Sequence, residues 1–283
     1  MARQPDGPPP PPTVQRLRVR YTKRGRLRFT SHRDIARALE RALRRARVPM
    51  AYSAGFSPHP KISWVGAAPT GVASEAEYVE LGLAERVDLE ALVAALDASL
   101  PVGIDVVEVV EATPGSSLPE RIEASLWRIR LPGVAPDVAA HAVAAFLATG
   151  EVVVERLTKN GMRALDARAA VVSITVEPAD AADDGSGAAA TAGDRSCATL
   201  SVVVRHVTPA VRPDDVLSGL RSAADLVPPV PPEATRLAQG PLTGSGEVGD
   251  PLAPDRTEPG ADGGTRQDAD RDRAAAGAQP SDG

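Results

Sequence analysis

The chain has 283 residues, enough for two domains with real cores, and a net charge of −5 that conceals a sharp split. From Arg16 to Ser63 there are 14 Lys and Arg against two acids, whereas from Trp64 to Ser125 there are two Arg against 12 acids. A single cysteine, Cys197, excludes a disulfide framework and any cluster needing three or four thiolates of this polypeptide, and no 18-residue apolar run is present to cross a membrane.

The elements follow in chain order. Residues 1–14, with prolines from Pro8 to Pro12, read as a disordered leader without a hydrophobic signal core, so a cytoplasmic protein is expected. Leu17, Val19 and Tyr21 alternate with Arg16, Arg18 and Arg20, the pattern of a strand with one apolar and one cationic face. The chain turns near Gly25 and extends again through Leu27 and Phe29. Ile35, Ala38, Leu39, Ala42, Leu43 and Ala46 then recur at helical spacing. Ser31 and Asp34 resemble a capping box at the start of that helix, and Pro49 marks its end. Strands are expected over Lys61–Val65, Glu77–Leu83 and Ile104–Val110, with a helix from Asp88 between the last two. The order β-α-β-β-α-β over 15–112 predicts a ferredoxin-like unit.

A second, looser version of that order is predicted over 113–228. It contains strands at Leu126–Leu131, Val152–Leu157, Ala170–Glu177 and Leu200–Val207, and helices at Ala135–Ala148 and Pro213–Ala224. Residues 180–196 read as a flexible insertion. Residues 229–283 carry 10 acids and five Arg with no aromatic or periodic pattern, and are expected to form a disordered acidic tail. The fold class is therefore α+β, two ferredoxin-like units in tandem.

Three features bear on chemistry. On an open sheet Arg16, Arg18 and Arg20 would form a row of guanidinium groups about 7 Å apart, suited to the phosphates of RNA or another polyanion. The alternative is a solvated sheet kept soluble by arginine. Arg33, Arg37 and Arg41 extend the charge along the helix. The loop Gly55-Phe56-Ser57-Pro58-His59-Pro60-Lys61 is the most distinctive segment. Its prolines restrict the backbone on either side of His59, so Phe56 and His59 could contact a base while Lys61 holds a phosphate. The other reading is a structural loop with Phe56 in the core. His32, at the helix start, could bind an anion or pair with His59 in metal-independent RNA cleavage, or simply serve the cap. No metal, phosphate-loop, dinucleotide or nucleophile-elbow motif is present, so no cofactor is expected and catalysis is not indicated.

Several segments together resemble the radical-SAM-linked protein family, an uncharacterised bacterial domain. They are Leu27–Asp34, Ala38–Arg45, Tyr52–Ser63, Pro69–Val72, Glu75–Tyr78 and a weaker stretch from Lys159 to Arg168. The resemblance spans about residues 16–225. It implies a partner: members occur fused to, or encoded beside, a cobalamin-binding-type radical SAM protein, often near a ribonuclease E/G-type gene. One cysteine cannot hold such an enzyme's cluster, so any link is expected in trans. The expectation is an RNA-binding accessory protein acting on tRNA or rRNA with one of those enzymes. A metal-independent endoribonuclease using His32 and His59, or an adaptor that binds only protein, are the alternatives.

Overall fold

The computed structural model describes residues 10–158, 161–178 and 196–256. All but the last residue of the expected insertion 180–196, most of the expected leader and residues 257–283 of the expected tail lie outside these.

The architecture is mixed α+β. Ten strands and five α-helices follow in chain order among the described residues: β1 (Gln15–Lys23), α1 (His32–Arg45), β2 (Ile62–Val65), β3 (Ala73–Leu83), α2 (Leu89–Asp97), β4 (Val106–Glu111), β5 (Ala124–Pro132), α3 (Pro136–Ala148), β6 (Val153–Thr158), β7 (Gly161–Asp166), α4 (Ala167–Ala170), β8 (Val171–Val176), β9 (Cys197–Arg205), α5 (Pro213–Ala224) and β10 (Glu233–Gly240). Eight strands make one sheet, ordered β4-β1-β3-β10-β5-β9-β8, with β2 also on β3. Its pairs are antiparallel except the short parallel contact of β10 with β3, through Thr235↔Ala73 and Arg236↔Ser74.

Two expectations are corrected. Leu27 and Phe29 do not extend: Gly25, at φ +55°, turns the chain into a 3-10 turn over Gly25–Phe29. Val153–Thr158 does not join the main sheet but pairs with Gly161–Asp166 in a separate two-stranded hairpin. Arg156 ties that hairpin to α5 by donating to Asp215 at 2.5 Å.

The larger correction concerns the C-terminal segment. Residues 229–256, expected in the unstructured tail, supply β10, which stands between β3 and β5 in the middle of the sheet. Short, polar Glu-Ala-Thr-Arg-Leu-Ala-Gln-Gly has little strand pattern of its own, and its neighbours on both sides supply the pairing. At its end the Gly240 Cα stands so close to the Gly249 carbonyl that a Cβ would lie 2.1 Å from that oxygen. Only glycine permits this approach.

Helix α1 forms for reasons the sequence displays. The Ser31 hydroxyl accepts from Asp34 N–H at 3.3 Å and donates to the Asp34 carboxylate at 2.7 Å, which satisfies part of the helix start. Ile35, Leu39, Ala42 and Leu43 are buried against Leu17, Val19, Tyr21, Val79 and Leu81 of the sheet. Each of the larger three contributes about 1.5–3 kcal/mol by leaving water. A second core underlies α3 and α5, around Ile129, Phe146, Leu200 and Leu220. A third, smaller one holds Ala76, Tyr78 and Val110 against Leu118, Ile122 and Leu252. That third core covers the sheet face opposite α1 and α2, and it decides the fate of the β1 arginines.

Candidate functional site

Strand β1 lies between β4 and β3, and at Arg18 both of its faces are covered. Leu17, Val19 and Tyr21 meet the helices, while Arg18 on the other face has a fully buried side chain. Its guanidinium donates to Asp255 at 2.5 Å, to Glu80 at 3.2 Å and to the Ser116 carbonyl at 2.7 Å. Arg20 is half-buried and donates to the Glu75 carbonyl at 3.1 Å, and Arg16 lies 3.4 Å from Glu80. The three side chains therefore do not form the expected continuous exposed row: Arg18 is buried between an exposed Arg16 and a half-buried Arg20. Glu80 sits directly across from Arg18 in the antiparallel register, so opposite charges meet as cross-strand neighbours. Much of the positive charge of β1 is neutralised by the acids of β3.

The arginines of α1 differ. Arg33, Arg37, Arg41 and Arg44 stand at i, i+4, i+8 and i+11, one stripe along the exposed side of the helix. Arg37 lies 3.7 Å from Asp34, and Arg33, Arg41 and Arg44 have no ion-pair or hydrogen-bond partner among the described residues.

The loop after α1 is braced and projects outward. Ser53 N–H donates to the His59 carbonyl at 2.8 Å, and His59 N–H donates to the Ser53 hydroxyl at 3.0 Å, closing residues 53–59 on themselves. Tyr52 bridges to Pro60, and Lys61 N–H donates to Ala51 O, which fastens the base of the loop. Phe56 at the tip is 72 % exposed, not inserted in the core. Lys61 is exposed and turns its ammonium to the Thr13 hydroxyl at 2.9 Å.

Loop and helix meet at a groove of about 390 Å³. Leu43, Val48, Met50 and Ile62 give it apolar surface, and Tyr52, Pro58, His59 and Pro60 contribute from the loop. Glu40, Arg44 and Arg47 come from α1 and the turn after it. The side chains of Glu40, Arg44, Arg47, Tyr52 and His59 have no polar partner among the described residues. Of the residues singled out from the sequence, His59 lines this groove, Phe56 stands on its loop, and Arg33, Arg37 and Arg41 run along the adjoining helix. His32 is elsewhere, stacked edge-on against Trp64 with ring centroids 4.9 Å apart. Of the two histidines considered for RNA cleavage, His59 lines this groove and His32 does not.

Sequence reasoning missed Arg47, Tyr52 and Glu40. Arg47 has a positive φ of 54° just past the helix, a conformation no periodicity rule anticipates. The i+3 step from Arg41 to Arg44 was the one available signal for the groove side of the helix.

Two other polar sites are structural. His206 donates through Nδ1 to the Ile122 carbonyl at 3.1 Å, which leaves Nε2 to accept from Ser125 Oγ at 2.7 Å. Burial, then the Arg236 charge, push its pKa down. Ser125 is fully buried and His206 is exposed, and together the two bonds pin the end of β9 to the start of β5. At the seam between β3 and β10, Arg236 donates to Glu77 and, at 3.2 Å, to Gln239, whose amide donates to Ala76 O at 2.6 Å. Glu77 also accepts from Ala68 N–H at 3.0 Å. No group of three or more His, Cys, Asp or Glu able to hold a metal is found among the described residues, and no helix there is long and apolar enough to span a membrane.

Fold and groove together define an α+β protein with a helix and a braced loop presenting unpaired cationic and aromatic side chains about one cleft. The chain belongs to the family described as an uncharacterized protein conserved in bacteria (DUF2344), whose model matches residues 16–213. Among curated proteins, no sequence matches it. The family match includes α1 and the loop but ends where α5 begins, so β10 and Asp255 lie beyond it.

Proposed function

We propose that this protein is a cytoplasmic RNA-binding accessory protein that presents tRNA or rRNA to a radical SAM modification enzyme or a ribonuclease E/G-type enzyme acting in trans. The observation that carries the reading is the exposed stripe of α1 arginines, of which Arg33, Arg41 and Arg44 have no internal partner among the described residues, beside a rigid, aromatic-bearing loop. Buried ion pairs use up Arg18, and free guanidinium groups on a helix surface are the charges available to a polyanion. The partner enzymes come from the family resemblance. The strand orders β4-β1-β3-β2 and β10-β5-β9-β8 support reading the two halves as tandem ferredoxin-like units, with β6, β7 and α4 inserted in the second.

Fluorescence anisotropy with labelled tRNA and rRNA fragments tests this. Affinity is expected to fall steeply between about 50 and 200 mM salt. The variant Arg33→Glu/Arg37→Glu/Arg41→Glu is expected to bind at least tenfold more weakly with a shallower salt slope, reduced by roughly 0.7 to 0.9 for each phosphate that is no longer neutralised. Unchanged affinity in that variant would remove the reading.

A further inference from the structure

We propose that the groove between α1 and the 53–59 loop holds a single unstacked nucleotide, which makes the protein a reader of single-stranded rather than duplex RNA. This deepens the RNA reading above and rests on it.

Size sets the first constraint. A groove of about 390 Å³ falls within the range of small-ligand sites of about 300–1,000 Å³. It suits one base with its sugar and cannot admit a stacked, paired duplex. Chemistry sets the second. The groove joins three surfaces that a nucleotide needs and an apolar peptide side chain does not. Leu43, Val48, Met50 and Ile62 give an apolar bed for the face of a base. Tyr52, 45 % exposed, and the unpaired imidazole of His59 give rings for stacking and edge contacts. Arg44 and Arg47 place two guanidinium groups at the same cleft, where a phosphate would follow from the base. Glu40 is the acid of the groove, an acceptor for an exocyclic amino group.

Rigidity is the third argument. The Ser53–His59 bracket and the prolines on either side of His59 hold the wall in place before any ligand arrives, so little ordering entropy opposes binding. Phe56, exposed at the tip of that wall, is a stacking platform for the next base along the strand. In a duplex every base is already stacked and paired, and entry would require unpairing. In a single strand the same base is available at small cost.

The test compares a short labelled single-stranded RNA of mixed sequence with the duplex it forms with its complement, for the full chain and two variants. One variant carries Tyr52→Ala and His59→Ala, both on the exposed loop. The other carries Phe56→Ala alone, which guards against a folding defect in the first. The full chain is expected to prefer the single strand by roughly tenfold or more, and each variant to lose roughly tenfold of its single-strand affinity with duplex binding unchanged. Equal affinity for the two forms, untouched by the loop variants but abolished by Arg33→Glu/Arg37→Glu/Arg41→Glu, would overturn this inference and leave the RNA reading standing. Binding of neither form would overturn both.

Discussion

Asp255→Ala is expected to lower folding stability by about 3–5 kcal/mol, read as a shift of the urea midpoint at constant slope. Asp255 is 7 % exposed, and its carboxylate accepts from Arg18 at 2.5 Å, Arg121 at 2.6 Å and Thr113 N–H at 3.0 Å. Removing it leaves the fully buried Arg18 with only Glu80 as counter-charge, and an under-compensated buried guanidinium is expensive. The double variant Arg18→Met/Asp255→Leu separates charge from packing: it is expected to recover most of the loss. A loss below about 1 kcal/mol in Asp255→Ala would mean that residues 250–256 are not docked on the sheet.

The same carboxylate makes stability depend on acid. Burial would raise its pKa, but hydrogen bonds from Arg121, Thr113 and Arg18 outweigh burial and hold it at about 2. The folded value lies below the unfolded one, so this contribution is complete above the unfolded pKa and is lost as the pH falls from about 4 through 2. Its size is about 2 kcal/mol. Asp255→Ala should therefore show a flatter fall in stability than the parent chain across that window.

The second large effect is expected at the β3–β10 seam. Arg236→Met should cost at least about 3 kcal/mol, because Glu77, 3 % exposed, would keep only the Ala68 N–H as a partner. Glu77→Gln is also expected to be costly, since the amide oxygen can still accept from Arg236 but leaves that buried guanidinium without a counter-charge. A double-mutant cycle between Arg236→Met and Glu77→Met should give a coupling energy of about 1–3 kcal/mol. Additive effects would mean that the two side chains do not share one network. The seam matters beyond its own residues. Beside it Tyr21, its hydroxyl pushed well above the usual value by burial and then by Glu77, and Lys23, its ammonium pushed down by burial, depend on the same charge balance.

Much of the framework was legible in the chain itself. The i, i+3, i+4 spacing of Ile35, Leu39, Ala42 and Leu43 determines α1, because a 3.6-residue period puts them on one face whatever lies opposite. Ser31, Pro49 and the prolines at 58 and 60 act locally, so the helix start and the braced loop could be read without knowing any partner. The exposed stripe of Arg33, Arg37 and Arg41 followed from the same period. Other features could not be read locally. The alternation in β1 shows that its arginines share a face, yet only the fold decides whether that face meets water or acids. Arg18 is buried because Asp255, 237 positions away in sequence, closes over it. Strand β10 has no pattern of its own and becomes a strand because β3 and β5 offer it hydrogen bonds on both sides. The groove, too, is a tertiary object, assembled from the turn at Arg47, Tyr52 and the helix end. Short-range periodicity and steric rules sufficed for elements. Long-range charge pairing and strand insertion, which depend on residues distant in the chain, decided which charges stay free to meet a ligand.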